Sequence, residues 1–119
     1  TARTSLLRLL ELEADADNWP AVLETAEAIL AIDPLIPAPH RAAAVAAERL
    51  DRPGRALAAW RAVLALDPND PAEIHFRLAQ LLHRQGSPEA RRQVLMALQF
   101  APRFRKAHKL LLEIVRTTK

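Results

Sequence analysis

LAIDP (30–34), LALDP (64–68) and QFAP (99–102) each close on a proline, at Pro34, Pro68 and Pro102. The prolines are 34 residues apart, and each ends a run rich in alanine and leucine. They cut the chain into three segments and a tail. The second segment splits into APHRAAAVAAERL (38–50) and PGRALAAWRAVLALD (53–67), with Asp51, Pro53 and Gly54 between them. In the third, PAEIHFRLAQLLHRQ (71–85) precedes Gly86, and PEARRQVLMALQFA (88–101) follows Ser87. Within the runs, apolar residues fall at helical spacing, as in Ala56, Trp60, Val63 and Leu64. The recurring unit is therefore a pair of amphipathic helices.

Composition agrees with an all-α chain. Strong helix formers dominate and β-branching is sparse. Each of the 9 prolines would cost about 3 kcal/mol inside a helix, so all are expected at helix boundaries. At 119 residues the chain reads as a single domain, 1–119, able to bury roughly two thirds of its unfolded surface. No uninterrupted apolar run reaches about 18 residues, so no membrane-spanning helix is expected. Thr1 in first place points to a fragment of a longer protein or a processed chain. The absence of cysteine removes disulfides and thiol chemistry and leaves the compartment undecided, with the cytoplasm slightly favoured over a periplasmic or secreted setting.

Local signals fit the breaks. Asp70-Pro71-Ala72-Glu73 has the form of a capping box, with proline at the first helical position and glutamate at the third. Ser87-Pro88 repeats the cap-then-proline arrangement, and Gly86 suits the end of the preceding helix. A two-helix unit of this size cannot hide its apolar face alone, whereas about three stacked copies can.

This pattern resembles the tetratricopeptide repeat, over nearly the whole chain. The family's small residue early in the second helix matches Ala56 and Ala90, with Val22 in that slot of the first segment. Its following aromatic matches Trp60, where the other segments carry Ala26 and Val94. The next small slot is Ala97, occupied elsewhere by Ile29 and Val63. The closing proline matches Pro34, Pro68 and Pro102. In the first helix, the close-packing small residue matches Ala44 and Ala79, followed by Ala47 and Leu82. The resemblance implies a right-handed superhelical stack of three helix-turn-helix repeats, about 3–34, 35–68 and 69–102. A capping helix over about 103–117 would bring the total to about seven helices.

The resemblance also implies a function: a protein-protein interaction module whose first helices line a concave groove. By slot, the groove would present Arg41, Val45, Glu48 and Arg49, then Phe76, Arg77, Gln80, His83 and Arg84, then Lys106, Lys109, Leu110 and Glu113. A basic wall with apolar patches suits an acidic or amphipathic peptide held by charge-assisted hydrogen bonds. One subgroup of the family grips the carboxylate-ended tails of heat-shock chaperones with groove asparagines. Here the asparagines are Asn18 and Asn69, both at turns.

Other chemistries have ordinary explanations. His40, His75 and His108 share one repeat slot and read as packing residues on successive helices, too far apart to hold one ion. His75 and His83 lie about 12 Å apart along one helix. No metal site or cofactor is expected. There is no thiol, no phenol and no glycine-rich phosphate loop; Ser87 reads as a cap, and Asp33 and Asp67 as helix-end residues, so no enzyme activity is expected. Trp60 reads as core, and Trp19 as a helix entry.

Charge divides the chain. Residues 1–34 carry two basic and seven acidic side chains, residues 35–68 five and three, and residues 69–119 ten and four. The first segment is therefore net negative and the last strongly positive. With the apolar helix SLLRLLELEADAD (5–17), this gives an alternative reading: scaffolding within the parent protein, or self-association of copies through unlike ends. Basic runs such as RFRKAHK (103–109) raise nucleic acid as a partner. The scarcity of aromatics, three Phe and two Trp, makes stacking platforms for it scarce and argues against it.

Overall fold

The computed structural model describes residues 1–117, which form seven α-helices and no strand. These are α1 (Ala2–Asp15), α2 (Trp19–Ile32), α3 (Pro37–Arg49), α4 (Pro53–Ala65), α5 (Pro71–Arg84), α6 (Glu89–Phe100) and α7 (Arg105–Thr117). Proline stands in the first two positions of α2, α3, α4 and α5, where its missing N–H costs nothing. The helices fall into two compact units, one spanning Thr1–Leu66 and the other beginning at Asp67.

In the first unit α1 packs on α2, α2 on α3, and α3 on α4. The middle of that series is α3, and it buries Ala43, Ala44, Ala46 and Ala47 completely. A face of methyl groups lets two neighbours approach its backbone closely. The bulk comes from those neighbours: Val22, Leu23, Ala26 and Ile29 on α2, and Leu57, Trp60 and Val63 on α4. Trp60 is core, as its spacing indicated, and its indole N–H donates to Glu48 Oε2 at 2.8 Å. On the other side Thr25 donates its hydroxyl to Glu13 Oε1. Each buried polar group is thus met by a carboxylate from the preceding helix, which removes the penalty of hiding it.

In the second unit α5 packs on α6, α6 on α7, and α5 also touches α7. Its core is Ile74, Phe76, Leu78, Leu81 and Leu82 from α5, Ala90, Val94 and Ala97 from α6, and Ala107, Leu110 and Ile114 from α7. His75 is buried among them; its Nδ1 lies 2.7 Å from Gln93 Oε1, which accepts from it. The His75 ring stacks on Phe100, with centroids 5.7 Å apart.

The turns inside α1–α2, α3–α4 and α5–α6 are built alike. Asp17, Asp51 and Gly86 take positive φ, at 55°, 55° and 71°. Behind them, the N–H groups of Asn18, Arg52 and Ser87 reach back to the carbonyls of Glu13, Ala47 and Leu82. Those of Asp17, Asp51 and Gly86 bond Ala14, Glu48 and His83. This is the paired Schellman closure at three helix ends. The break after residue 50 therefore turns on Asp51, whereas Gly54 sits in the first turn of α4. The connections after α2 and α6 differ. Asp33 and Ala101 are extended, at φ −147° and −139°, each before a proline that disfavours helical backbone in its predecessor.

The capping box expected at Asp70–Glu73 does not form. Asp70 is the N-cap of α5, but its side chain makes no capping bond, and Glu73 Oε1 accepts from Arg77 Nε at 3.0 Å. Ser87 does bond a helix-start amide, its Oγ accepting from Glu89 N at 3.3 Å.

Candidate peptide-binding site

The prolines that mark the repeat also anchor the histidines. His40 Nε2 donates to Pro34 O at 2.8 Å, and His108 Nε2 to Pro102 O at 2.7 Å. A carbonyl can only accept, so both rings carry their proton on Nε2. His75 has its own partner in Gln93. Among the described residues no three histidine or carboxylate side chains converge on a point that could hold a metal ion. No helix among them is long and apolar enough to cross a membrane.

In the second unit an open hollow of ≈ 400 Å³ lies along α5 and α7. It is lined by Phe76, Arg77 and Gln80 of α5 and by Lys106, Lys109 and Leu110 of α7, with Glu73 and Glu113 on the rim. The helical repeat accounts for this set: positions 73, 77 and 80 follow one face of α5, and 106, 109, 110 and 113 one face of α7. Phe76 and Leu110 are nearly buried and make the floor; Phe76 also packs on Phe104, with centroids 5.0 Å apart. Lys106 and Lys109 stand out into solvent. Arg77 is tied to Glu73 on its own helix, a half-buried pair four residues apart. Three cationic and two anionic side chains line the hollow, so it is less basic than the slots alone implied.

Seven residues named from the sequence, Phe76, Arg77, Gln80, Lys106, Lys109, Leu110 and Glu113, thus come together in one unit. Arg84 lies one turn beyond Gln80, exposed and outside the lining. His83 sits at the edge of a second hollow of ≈ 750 Å³, with Gly86, Ser87, Pro88, Arg91, Ile114 and Thr117. Its Nε2 stands 3.9 Å from Glu113 Oε2. Arg41, Val45 and Arg49 belong to the first unit, spaced four residues apart along α3. Arg49 is held there, its guanidinium 5.6 Å over the Trp19 ring. Glu73 is the lining residue that sequence reasoning assigned elsewhere. Its spacing of four from Arg77 was the available signal.

Comparison with protein-family models and with curated protein sequences gives no match. Solved structures do match. The first TPR domain of Spaghetti (RPAP3), solved with the HSP90 peptide SRMEEVD, superposes with a TM-score of 0.80 at 17% identity, over 96% of this chain and 90% of that one. The Yersinia enterocolitica type III secretion chaperone SycD, solved with a peptide of the translocator YopD, gives a TM-score of 0.84 at 12% identity, over 98% and 94%. A Thermobaculum terrenum O-GlcNAc transferase gives 0.72 at 21% identity, over 95% of this chain but 22% of the enzyme. At these identities the likeness speaks to fold, and with the repeated turns, the closing prolines and the helix pairs it makes the chain an all-α protein of the tetratricopeptide repeat fold.

Proposed function

We propose that the chain is a protein-interaction module, binding rather than catalysing, and that the α5–α7 hollow grips a peptide segment bearing acidic side chains. The observation that carries this reading is an apolar floor, Phe76 and Leu110, set beside Lys106, Lys109 and Arg77 on two helices packed together. Apolar anchors supply affinity, and the ammonium groups favour carboxylates and speed encounter. Two proteins of the same fold, the RPAP3 domain and SycD, were each solved with a peptide, which supports a peptide ligand here. The same reading takes α1–α2, α3–α4 and α5–α6 as three repeats closed by α7. Arg84 extends the basic line one turn along α5, and the Arg41, Val45 and Arg49 stripe is not required.

The test is fluorescence anisotropy with a labelled peptide alternating glutamate and leucine, against its lysine-for-glutamate counterpart. The acidic peptide should bind and the basic one should not. Lys106→Glu with Lys109→Glu should weaken binding tenfold or more, equivalent to about 1.4 kcal/mol, with the helical circular dichroism unchanged. Equal binding of both peptides, or full binding by the double variant, would overturn the assignment.

A further inference from the structure

Two helices keep an apolar stripe in water. On α1, Leu10 faces the core, while Leu9 and Leu12 on the other side are 43% and 57% exposed. On α7, Ala107, Leu110 and Ile114 face the core, while Leu112 and Val115 are 58% and 50% exposed. Both pairs are spaced by three residues, so each forms a short ridge along its helix. Their surroundings carry opposite charge. Glu11, Asp15 and Asp17 are exposed along the C-terminal half of α1 and its turn, and Arg103, Arg105 and Lys109 along the N-terminal half of α7 and the turn before it.

We infer that α1 of one copy docks on α7 of a second copy, head to tail. The occupant is another molecule of this chain because the two faces complement each other in charge, and each offers an apolar ridge of equal spacing. The helices run antiparallel. That sets Leu12 on Leu112 and Leu9 on Val115, and brings Asp15 to the Arg105–Lys109 end. It leaves Arg8 opposite Arg116 as a like-charge meeting. The contact is heterologous, so each copy keeps one face open and assembly continues to longer chains or closes as a ring. Opposed charges on the two segments, net negative over residues 1–34 and positive over 69–119, steer the encounter. The inference does not rest on the peptide hollow, whose floor and α5 wall it does not use, although Lys109 of α7 is common to both.

Sedimentation equilibrium of the purified chain tests this, up to about 1 mM, the range in which small interfaces associate. The average mass should rise above the 13.2 kDa of one chain and fall back as salt is added. Leu12→Lys blocks the α1 face and Leu112→Glu the α7 face; both positions are exposed, so the fold is unaffected. Each variant alone should stay monomeric. Their equimolar mixture should form dimers and nothing larger, because one intact face of each kind remains. Arg8→Glu should strengthen association severalfold. A wild-type chain that is monomeric throughout, variants that still assemble, or a mixture that stays monomeric would each overturn the proposal.

Discussion

Asp17, Asp51 and Gly86 do the same work with different side chains. Each ends a helix in left-handed backbone so that the chain can reverse within one or two residues of the next N-cap. An L-residue there costs about 1–2 kcal/mol, less for aspartate, whose short carboxylate tolerates the conformation. A Cβ on Gly86 meets no atom within 4 Å, so Gly86→Ala measures backbone strain alone. It should lower stability by about 1 kcal/mol, and Asp51→Gly should raise it by a few tenths to about 1 kcal/mol, both read by urea denaturation. Gly86 was legible as a helix stop because glycine advertises the conformation. Asp17 was not, since aspartate serves equally at N-caps, and only the recurrence of the backbone geometry separates the two uses.

At the scale of the helix, the starts were harder to read than the stops. Asn18 and Arg52 donate backwards to end one helix while their carbonyls accept from Val22 and Ala56 to begin the next. Serving both, they hold ψ at 73° and 75°, away from the extended geometry that turns a side chain onto the following amides. Asn18 therefore makes no capping bond despite being a favoured cap type. Asn18→Ala should change stability by less than about 0.5 kcal/mol in thermal melts, where loss of a working cap costs about 1. Asp70, at ψ 56°, is likewise off the extended geometry and makes no capping bond, and Glu73 pairs with Arg77 instead. Propensity and periodicity placed the helices; the choice among partners for a side chain depends on ψ values the sequence does not display.

For the molecule as a whole, protection should follow the number of packed neighbours. In the first unit α3 lies between α2 and α4 on four fully buried alanines, whereas α1 buries Leu10 alone. In the second, α5 packs on both α6 and α7 and buries seven residues, from Ile74 to Leu82. Amide hydrogen exchange should be slowest in α3 and α5 and fastest in α1, as expected when stability is a sum of nearest-neighbour terms. Equal exchange across α1–α4 would contradict that ordering. The all-α class and the pairing of helices were legible because proline spacing and amphipathic runs are properties of the chain itself. The grouping around the hollow was legible only in part. Slot analogy assembled Phe76, Arg77, Gln80, Lys106, Lys109, Leu110 and Glu113, but Glu73, read as part of a cap, joins them beside Arg77 on its own helix.

The histidine clasps on Pro34 and Pro102 have a consequence for how this sequence tolerates insertion. In each, six positions separate the carbonyl from the ring that grasps it. Between Pro68 and His75 there is one position more, and the same side chain has gone over to Gln93 and Phe100. The distance from proline to histidine therefore behaves as a ruler. In the one linker longer by a single amino acid, the ring is unhooked and turned inward to become part of the filling between two helices.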